Sequence, residues 1–350
     1  MKILHSADWH LDAPIVGRTP EQADLLRRAL LALPGQIASL AKEKGCQLML
    51  LSGDLFDGPA SPESLSAVQN ALAEVQIPVF IAPGNHDPLE TGCAWNQPGW
   101  SKNVHIFRSP TPESVTIEAL ECRVWGAAFQ GPEAPGLLSG FRAEGSEKFA
   151  LGVFHGDPTQ AASPYNPITR LQVQESGLDY LALGHIHKAD SFCAGDTLCA
   201  WPGCAMGRGF DETGDKGVMI VTLDGTVQSR FVPLPGPRFH WLKVSVEESA
   251  ESALSNALPA AANADFFRVE LTGESKPLDL SALTALFSHL PNLELRDRTQ
   301  PPMDLWAGAG EDSLEGVFFS LLQQADAPDQ TKALAARLCR KLLQGQEVAL

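Results

Sequence analysis

The stretch Pro83-Gly84-Asn85-His86-Asp87 decides how the rest of this sequence is interpreted. It directly follows the apolar run VFIA at 79–82, which predicts a short buried strand. A glycine turn at a strand end can expose the polar side chains that follow it. This turn therefore carries an amide, an imidazole and a carboxylate out of the end of a strand.

Four other apolar runs end in the same way. They precede, in chain order, Asp8 and His10, then Asp54, then His155, and finally His185 and His187. In an open α/β sheet the loops beyond the strand ends meet at one crevice, so these side chains are expected to converge. Carboxylate, amide and imidazole groups are ligands for hard and borderline divalent metals. The sequence thus predicts one metal site assembled from five loops.

Composition indicates a globular protein of one large and one smaller domain. The chain has 350 residues, of which 44% are hydrophobic and 19% charged, and no apolar run approaches the roughly 18 residues of a membrane span. The seven cysteines are scattered without a Cys-x-x-Cys pair, which favours reduced thiols over a disulfide or zinc framework. We therefore expect a cytoplasmic protein with no membrane association.

The net charge of −16 argues against a chain that binds nucleic acid unaided, because such affinity comes mainly from Lys and Arg on phosphates. It does not exclude an enzyme that acts on nucleic acid. Bound divalent metals reverse the local charge, and a partner protein can supply a basic surface.

Three segments follow from the order of the predicted elements. Residues 1–237 alternate strands and helices early and then form hairpins, which predicts an α/β (α+β) fold with a mixed sheet or a two-sheet sandwich and helices outside. A proline-rich break at 233–237 ends this segment. Residues 238–308 predict a small α/β domain, and 309–350 predict a C-terminal helical segment.

The candidate ligands divide between two metal ions. Asp54 is the expected bridge, because Gly53 before it permits close approach of the backbone. One ion would take Asp8, His10 and His187, and the other Asn85, His155 and His185. His185 and His187 alternate along an extended segment and point to different sides, so they can serve different metals. Each motif alone is more often an ordinary turn, but five in order after predicted strands favour a site.

These five motifs resemble those of the calcineurin-like metallophosphoesterase superfamily. They are Asp8-x-His10, Gly53-Asp54, Gly84-Asn85-His86-Asp87, His155 and Gly184-His185-Ile186-His187. Within the superfamily, the stretches HSADWHLD at 5–12, WPG at 201–203 and ETGDKG at 212–217 resemble the bacterial SbcD-type DNA repair exonucleases, in particular their shorter YhaO-like branch. The superfamily resemblance covers about residues 1–233.

This resemblance implies a two-sheet metallophosphoesterase sandwich flanked by helices, with a small capping domain. It also implies metal ligands at the seven positions above, two divalent ions, with manganese expected, and a general acid at His86. A metal-activated hydroxide would attack the phosphodiester in line while His86 protonates the leaving oxygen. Asp87 is expected to orient His86.

Two departures from relatives concern residues 57 and 58. Archaeal and eukaryotic relatives often carry a histidine three residues after the bridge, whereas this chain has Asp57, which leaves His86 as the single acid. Serine/threonine phosphatases carry a phosphate-binding arginine where this chain has Gly58. Arg208 could contact phosphate or simply pair with Glu212.

Several alternatives stay open on sequence alone. The leading hypothesis is a DNA exonuclease in DNA repair, the alternative is a hydrolase of small phosphodiesters or nucleotides, and a non-enzymatic scaffold is disfavoured because no motif ligand is missing. Trp95 and Trp100 could stack on bases or pack in the core. His5 and three other histidines outside the motifs are expected to be packed or exposed.

The C-terminal segment carries an apolar stripe at helical spacing, formed by Leu314, Val317, Phe318, Leu321 and Leu322. It can pack against the chain's own small domain or bind a partner as a helix in a groove. The resemblance to SbcD-type proteins implies an SMC-like SbcC-type ATPase as that partner, with DNA as substrate. A homodimer is also compatible with the sequence.

Overall fold

The computed structural model describes residues 1–246, 249–260, 264–343 and 345. They form two compact units. The first comprises Met1–Trp241 with Asn263–Phe267, and the second comprises Leu242–Ala262 with Arg268–Leu350. The candidate metal ligands all lie in the first unit.

The first unit contains two six-stranded sheets. The strands of the first sheet are β1 (Lys2–Ser6), β2 (Leu48–Leu51), β3 (Val79–Ile81), β4 (Val104–Ile106), β11 (Gly217–Leu223) and β12 (Val227–Pro233). They are arranged in the order β12-β11-β1-β2-β3-β4. The four strands from β1 to β4 are parallel, whereas β11 and β12 form an antiparallel hairpin against β1.

The strands of the second sheet are β5 (Glu113–Ile117), β6 (Cys122–Gly126), β7 (Phe149–His155), β8 (Tyr180–Gly184), β9 (Lys188–Ala194) and β10 (Thr197–Gly203). Their order is β5-β6-β7-β8-β10-β9. Parallel pairing joins β6, β7, β8 and β10, and an antiparallel edge strand closes each side. This confirms the predicted two-sheet architecture.

The central strands are buried on both faces, which explains their unbroken apolar sequences. In β2, Leu48 and Leu50 pack into the core between the two sheets, whereas Met49 and Leu51 pack into the core beneath the helices. Successive side chains of a strand point to opposite faces, so a strand covered on both sides must be apolar throughout.

Two helices cover the outer face of the first sheet. They are α1 (Pro20–Glu43), capped by Thr19, and α2 (Pro62–Val75), capped by Ser61. Each cap accepts a hydrogen bond from a backbone N–H of the first turn, and a proline stands at the first helical position. α1 continues through Pro34, which is buried within it. A short helix, α3 (Arg170–Glu175), lies in the second half of this unit.

A three-stranded sheet in the order β13-β14-β15 follows, formed by β13 (Phe239–Val246), β14 (Phe266–Gly273) and β15 (Leu293–Asp297). The helices are α4 (Ala250–Ala257), α5 (Leu280–Leu286), α6 (Leu314–Gln324) and α7 (Asp329–Leu343). The sequence predicts the α4 helix over 248–262, but residues 247–248 and 261–263 lie outside the described residues, as do 344 and 346–350 of the predicted C-terminal segment. No helix in the described ranges combines the length and apolar character that crossing a bilayer requires.

Candidate metal centre

The predicted site residues all lie at the carboxyl ends of parallel strands. Asp8 and His10 follow β1, Asp54 follows β2, Asn85, His86 and Asp87 follow β3, His155 ends β7, and His185 and His187 follow β8. A hydrogen-bond contact of 2.8 Å between His155 Nδ1 and the Ser52 carbonyl oxygen joins the ends of the two sheets. The five loops therefore meet at one edge of the sandwich.

Asp8, His10 and His187 form the first donor group. Their ligand atoms lie within 4.8 Å of one another, and the Nε2 atoms of His10 and His187 are 3.1 Å apart. Imidazole nitrogens lie about 2.0–2.1 Å from a bound zinc ion, so two that share one ion can be no more than about 4.2 Å apart. The spacing of these two imidazoles therefore fits joint coordination of a single divalent ion.

Asn85, His155 and His185 form the second donor group. Asn85 Oδ1 lies 2.8 Å from His155 Nε2 and 3.2 Å from His185 Nδ1. The two neighbouring histidines of the last motif thus face different groups, as their alternation predicts. One amide oxygen and two imidazole nitrogens form a donor set that suits borderline divalent metals.

Asp54 lies between the two groups. Its Oδ2 atom is 3.2 Å from His155 Nε2 and 3.9 Å from His10 Nε2, which belong to the second and first groups respectively. Burial alone would raise the pKa of Asp54, but the positive charge and hydrogen bond of His155 outweigh it and hold that pKa below its usual range. The carboxylate is therefore ionised and lies close to both donor groups.

Four of the proposed ligands have a left-handed backbone. The φ angles are 54° at Asp8, 49° at His10, 55° at Asp54 and 96° at His185. Residues other than glycine adopt this region at a cost, and such strain clusters at functional sites. The fold thus accepts backbone strain to direct these four side chains inward.

Gly84 permits the close approach of two of these loops. A Cβ at this position would collide with the Asp54 Oδ1 atom, and it would lie 2.8 Å from the Asp54 backbone nitrogen. The glycine of the central turn is therefore required by the space beside the bridge.

Two imidazoles are oriented by contacts outside the donor groups. His187 Nδ1 lies 2.7 Å from Glu212 Oε1, and His155 Nδ1 lies 2.8 Å from the Ser52 carbonyl. Each contact directs the opposite nitrogen, Nε2, into the site. Glu212 is a supporting residue to which the sequence alone assigned no role in the site.

Arg208 and Glu212 form a closely bonded pair. Arg208 Nη2 lies 2.7 Å from Glu212 Oε1, and the Arg208 backbone N–H donates to Oε2. These bonds favour the alternative in which Arg208 pairs with Glu212 over the one in which it contacts phosphate. Because Glu212 already bonds His187 and Arg208, its proximity to the Cys204 thiol does not make a separate metal site.

The expected contact between Asp87 and His86 is corrected by the structure. Asp87 is buried, and its carboxylate accepts hydrogen bonds from the backbone N–H groups of Gly84, Asp54, Leu55 and Phe56. Asp87 therefore anchors the loop that bears Asp54, and both of its carboxylate oxygens take part in these hydrogen bonds.

Asp57 makes the contact with His86 instead. Its Oδ1 atom lies 2.5 Å from His86 Nδ1. The neighbouring imidazoles of His10 and His86 lower the pKa of Asp57 to about 2 against the opposing effect of burial. The His86 side chain is 47% exposed and its ring centre is 4.8 Å from that of His10. An ionised carboxylate thus supports an imidazole at the rim of the site.

Trp95 belongs to the core and not to a base-stacking surface. It is fully buried, its Nε1 donates to the Asp87 carbonyl, and it stacks on Trp100 with ring centres 5.5 Å apart. His5 is likewise buried, with Nε2 2.6 Å from Ser52 Oγ and Nδ1 2.7 Å from the Tyr180 hydroxyl. Burial lowers the pKa of His5 to about 3, so this imidazole is neutral.

Two proteins of Bacillus subtilis are similar to this chain in sequence. The metallophosphoesterase YhaO of Bacillus subtilis is 33% identical over 239 residues, which cover 63% of this chain and 57% of that protein. The SbcD component of the SbcCD nuclease of the same organism is 26% identical over 268 residues, covering 63% and 66% respectively. The chain thus spans less than two thirds of the length of either relative.

Similar solved structures include a dimetal phosphatase from Danio rerio, with a TM-score of 0.43 and 12% identity over 67% of this chain and 97% of that one. Another is TT1561 of Thermus thermophilus, with a TM-score of 0.39 and 12% identity over 66% and 98%.

The sequence profile of the calcineurin-like phosphoesterases matches residues 1–189, more than half of the chain. That range holds all five motifs and ends just beyond His187. The chain therefore belongs to the calcineurin-like phosphoesterase family.

Proposed function

We propose that this protein is a two-metal phosphodiesterase, with DNA ends as its substrate in DNA repair. The observation that carries the proposal is the pair of donor groups on either side of the Asp54 carboxylate, with the His86–Asp57 pair at their rim. Asp8, His10 and His187 would hold one ion, and Asn85, His155 and His185 the other. We propose manganese, because carboxylate and amide oxygens suit it.

When bound, two divalent ions would neutralise phosphate charge and make the attacking water a better nucleophile. The side chains of the protein would hold the reacting groups in position and supply a proton. Because His86 Nδ1 bonds Asp57, the proton for the leaving oxygen would come from Nε2. As the water oxygen bonds phosphorus, the bond from phosphorus to the leaving oxygen breaks, and that oxygen takes the His86 proton. A proton from the water then restores the imidazolium.

Similarity to the SbcD component of the SbcCD nuclease supports DNA as substrate. The acidic charge of −16 agrees with an enzyme that depends on a partner for most of its affinity for DNA. We propose that this partner is an SMC-like SbcC-type ATPase and that the protein acts in the cytoplasm. All seven cysteines are free thiols, which suits a reducing compartment.

The apolar stripe of α6 supports a partner at the C-terminal segment. Leu314 is 88% exposed and Leu321 64%, and Val317 and Phe318 are also exposed, whereas Phe319 is buried. Arg340 of α7 covers the Phe319 ring at 3.9 Å. The helix thus packs within its own unit through Phe319 and leaves four of the five residues of the predicted stripe exposed, whereas Leu322 is half-buried. Exposed apolar stripes of this kind serve as helix-in-groove contacts.

A second candidate function is hydrolysis of small phosphodiesters, and a cavity beside His86 favours it. This cavity of about 350 Å³ is bounded by Pro59, Pro88 and Pro132, with the Glu90 carboxylate as an acidic group, and none of its lining residues is Lys or Arg. Its size lies at the lower end of the range of small-molecule sites. Such a lining suits a small uncharged leaving group better than a continuing DNA strand.

One comparison of substrates tests both candidates. Hydrolysis of labelled single- and double-stranded DNA, bis-p-nitrophenyl phosphate and p-nitrophenyl phosphate is measured with added Mn²⁺ or Mg²⁺. A DNA exonuclease would shorten the labelled strands stepwise and cleave the diester faster than the monoester. Diester cleavage without DNA cleavage would favour the second candidate, and metal-independent or absent turnover on every substrate would overturn the proposal.

A further inference from the structure

A cleft in the second unit concentrates positive charge within an acidic chain. It has a volume of about 740 Å³. Its lining includes three cationic residues, namely Arg298 directly after β15 and both Arg337 and Lys341 of α7, and a single carboxylate, that of Glu274. Residues 238–350 as a whole contain 10 Lys and Arg against 16 Asp and Glu. The cleft therefore has a local charge opposite in sign to that of its surroundings.

The Glu274 carboxylate of the cleft already has bonding partners within the protein. Arg337 Nη1 lies 3.0 Å from Glu274 Oε1, and Glu274 Oε2 accepts the Met303 backbone N–H at 3.2 Å. Within the described ranges, the side chains of Arg298 and Lys341 make no ion pair or hydrogen bond with the protein. Two cations thus line one cleft without a counter-charge.

The position of Lys341 in the last turn of α7 does not by itself explain why the cations of this cleft lie together. Arg337 and Lys341 are four residues apart and lie on the same face of the helix, where like charges are destabilising. Lys341 gains from the negative end of the helix dipole, because it lies in the last turn. Arg298 lies outside the helix and has no such compensation. A cleft lined by cations focuses a positive potential that favours an anion.

We propose that this cleft binds phosphate groups, carried either by a nucleic-acid strand or by a small phosphorylated compound. The planar guanidinium of Arg298 can donate two parallel hydrogen bonds to phosphate oxygens, and Lys341 adds a point charge. The Gln300 side chain and the Ser245 hydroxyl supply neutral donors in the same lining. The site is additional to the metal centre, and its test measures binding, so it does not rest on the proposed hydrolase activity.

The test uses the full chain, with pyrophosphate binding followed by calorimetry and binding of a labelled single-stranded oligonucleotide followed by fluorescence anisotropy. The variants are Arg298→Ala and Lys341→Ala. Arg296→Ala is the matched control, because Arg296 lies on β15 and pairs with Glu294 at 2.7 Å outside the cleft. Binding at the metal centre is common to all variants and cancels in the comparison.

Each cleft variant should weaken binding about tenfold, as expected for loss of one charge-assisted contact to phosphate, whereas Arg296→Ala should stay within about twofold of the wild type. Arg298→Lys, which keeps the charge but loses the planar fork, should fall between wild type and Arg298→Ala. The thermal melting temperature should stay close to that of the wild type in every variant, which shows that each one is folded.

The two probes distinguish the source of the phosphate. Weaker binding of the oligonucleotide alone indicates a nucleic-acid strand. In that case the slope of the logarithm of the binding constant against the logarithm of the salt concentration should become shallower by about one unit per removed charge. Weaker binding of pyrophosphate alone indicates a small ligand. Equal binding of both probes by Arg298→Ala, Lys341→Ala and Arg296→Ala, or no binding by the wild type, would overturn the proposal.

Discussion

Replacing His86 by alanine removes the proposed acid and none of the seven proposed ligands. The side chain lies at the rim, with Nδ1 bonded to Asp57 at 2.5 Å. We expect turnover of DNA to fall by roughly 10²–10⁴, the usual contribution of general acid–base catalysis. Metal content should stay close to that of the wild type.

Asp57→Asn provides the matched perturbation, because it keeps the shape of the pair and removes the charge. A hydrogen bond to a charged group contributes about 1.5–3 kcal/mol, and partial exposure of both side chains places this one at the lower end. The expected loss is therefore about tenfold. Because Asp57 acts through His86, the double variant should be no slower than His86→Ala alone.

The assay compares kcat for a dinucleotide diester with kcat for bis-p-nitrophenyl phosphate at saturating metal. A p-nitrophenolate leaves readily without a proton, so both variants should lose much less activity on the chromogenic diester. Equal losses on the two substrates would refute the acid role. A parallel loss of metal would instead make His86 a ligand, since it also forms a donor group with His10 and Asp54.

Three further predictions concern the loops that hold the metals. Gly84→Ala should lower stability by about 1–3 kcal/mol and weaken metal binding, because its Cβ collides with Asp54; thermal melts with and without metal test this. Glu212→Gln should lower metal affinity about tenfold without unfolding the chain, because it loosens the His187 imidazole, and competition with a chelator measures it. In the metal-free protein burial alone would lower the pKa of His155, but the charge of Asp54 raises it to about 9. Ligation needs the neutral imidazole, so metal affinity should rise with pH up to about 9 and binding should release a proton, as calorimetry in buffers of different ionisation enthalpy would reveal.

Much of the fold follows from local sequence alone. The apolar run at 79–82 predicted a short buried strand, and β3 occupies Val79–Ile81 within it. The four other apolar runs that precede the motifs coincide with β1, β2, β7 and β8. Convergence of the motifs was also predictable, because parallel strands end at one edge of a sheet. The order of the strands was not, since β11 returns to pair with β1 from more than 200 positions away.

The finer arrangement of the site depends on contacts that the sequence does not encode locally. Asp87 follows His86 directly, yet it turns into the core and bonds four backbone N–H groups, while Asp57 reaches His86 from another loop. Glu212 bonds His187 across 25 positions. Such pairings depend on loop conformations, including the left-handed backbone at Asp54, that periodicity and motif spacing do not specify.

The most direct test of the two-metal centre is the number of Mn²⁺ ions bound per chain, measured in the wild type and in Asp54→Asn together with diester hydrolysis. The wild type should bind two ions. Because the Asp54 carboxylate lies 3.2 Å from His155 Nε2 and 3.9 Å from His10 Nε2, its loss should weaken both ions, so metal content and turnover should fall together. Two ions bound with normal turnover in Asp54→Asn would contradict the bridging role.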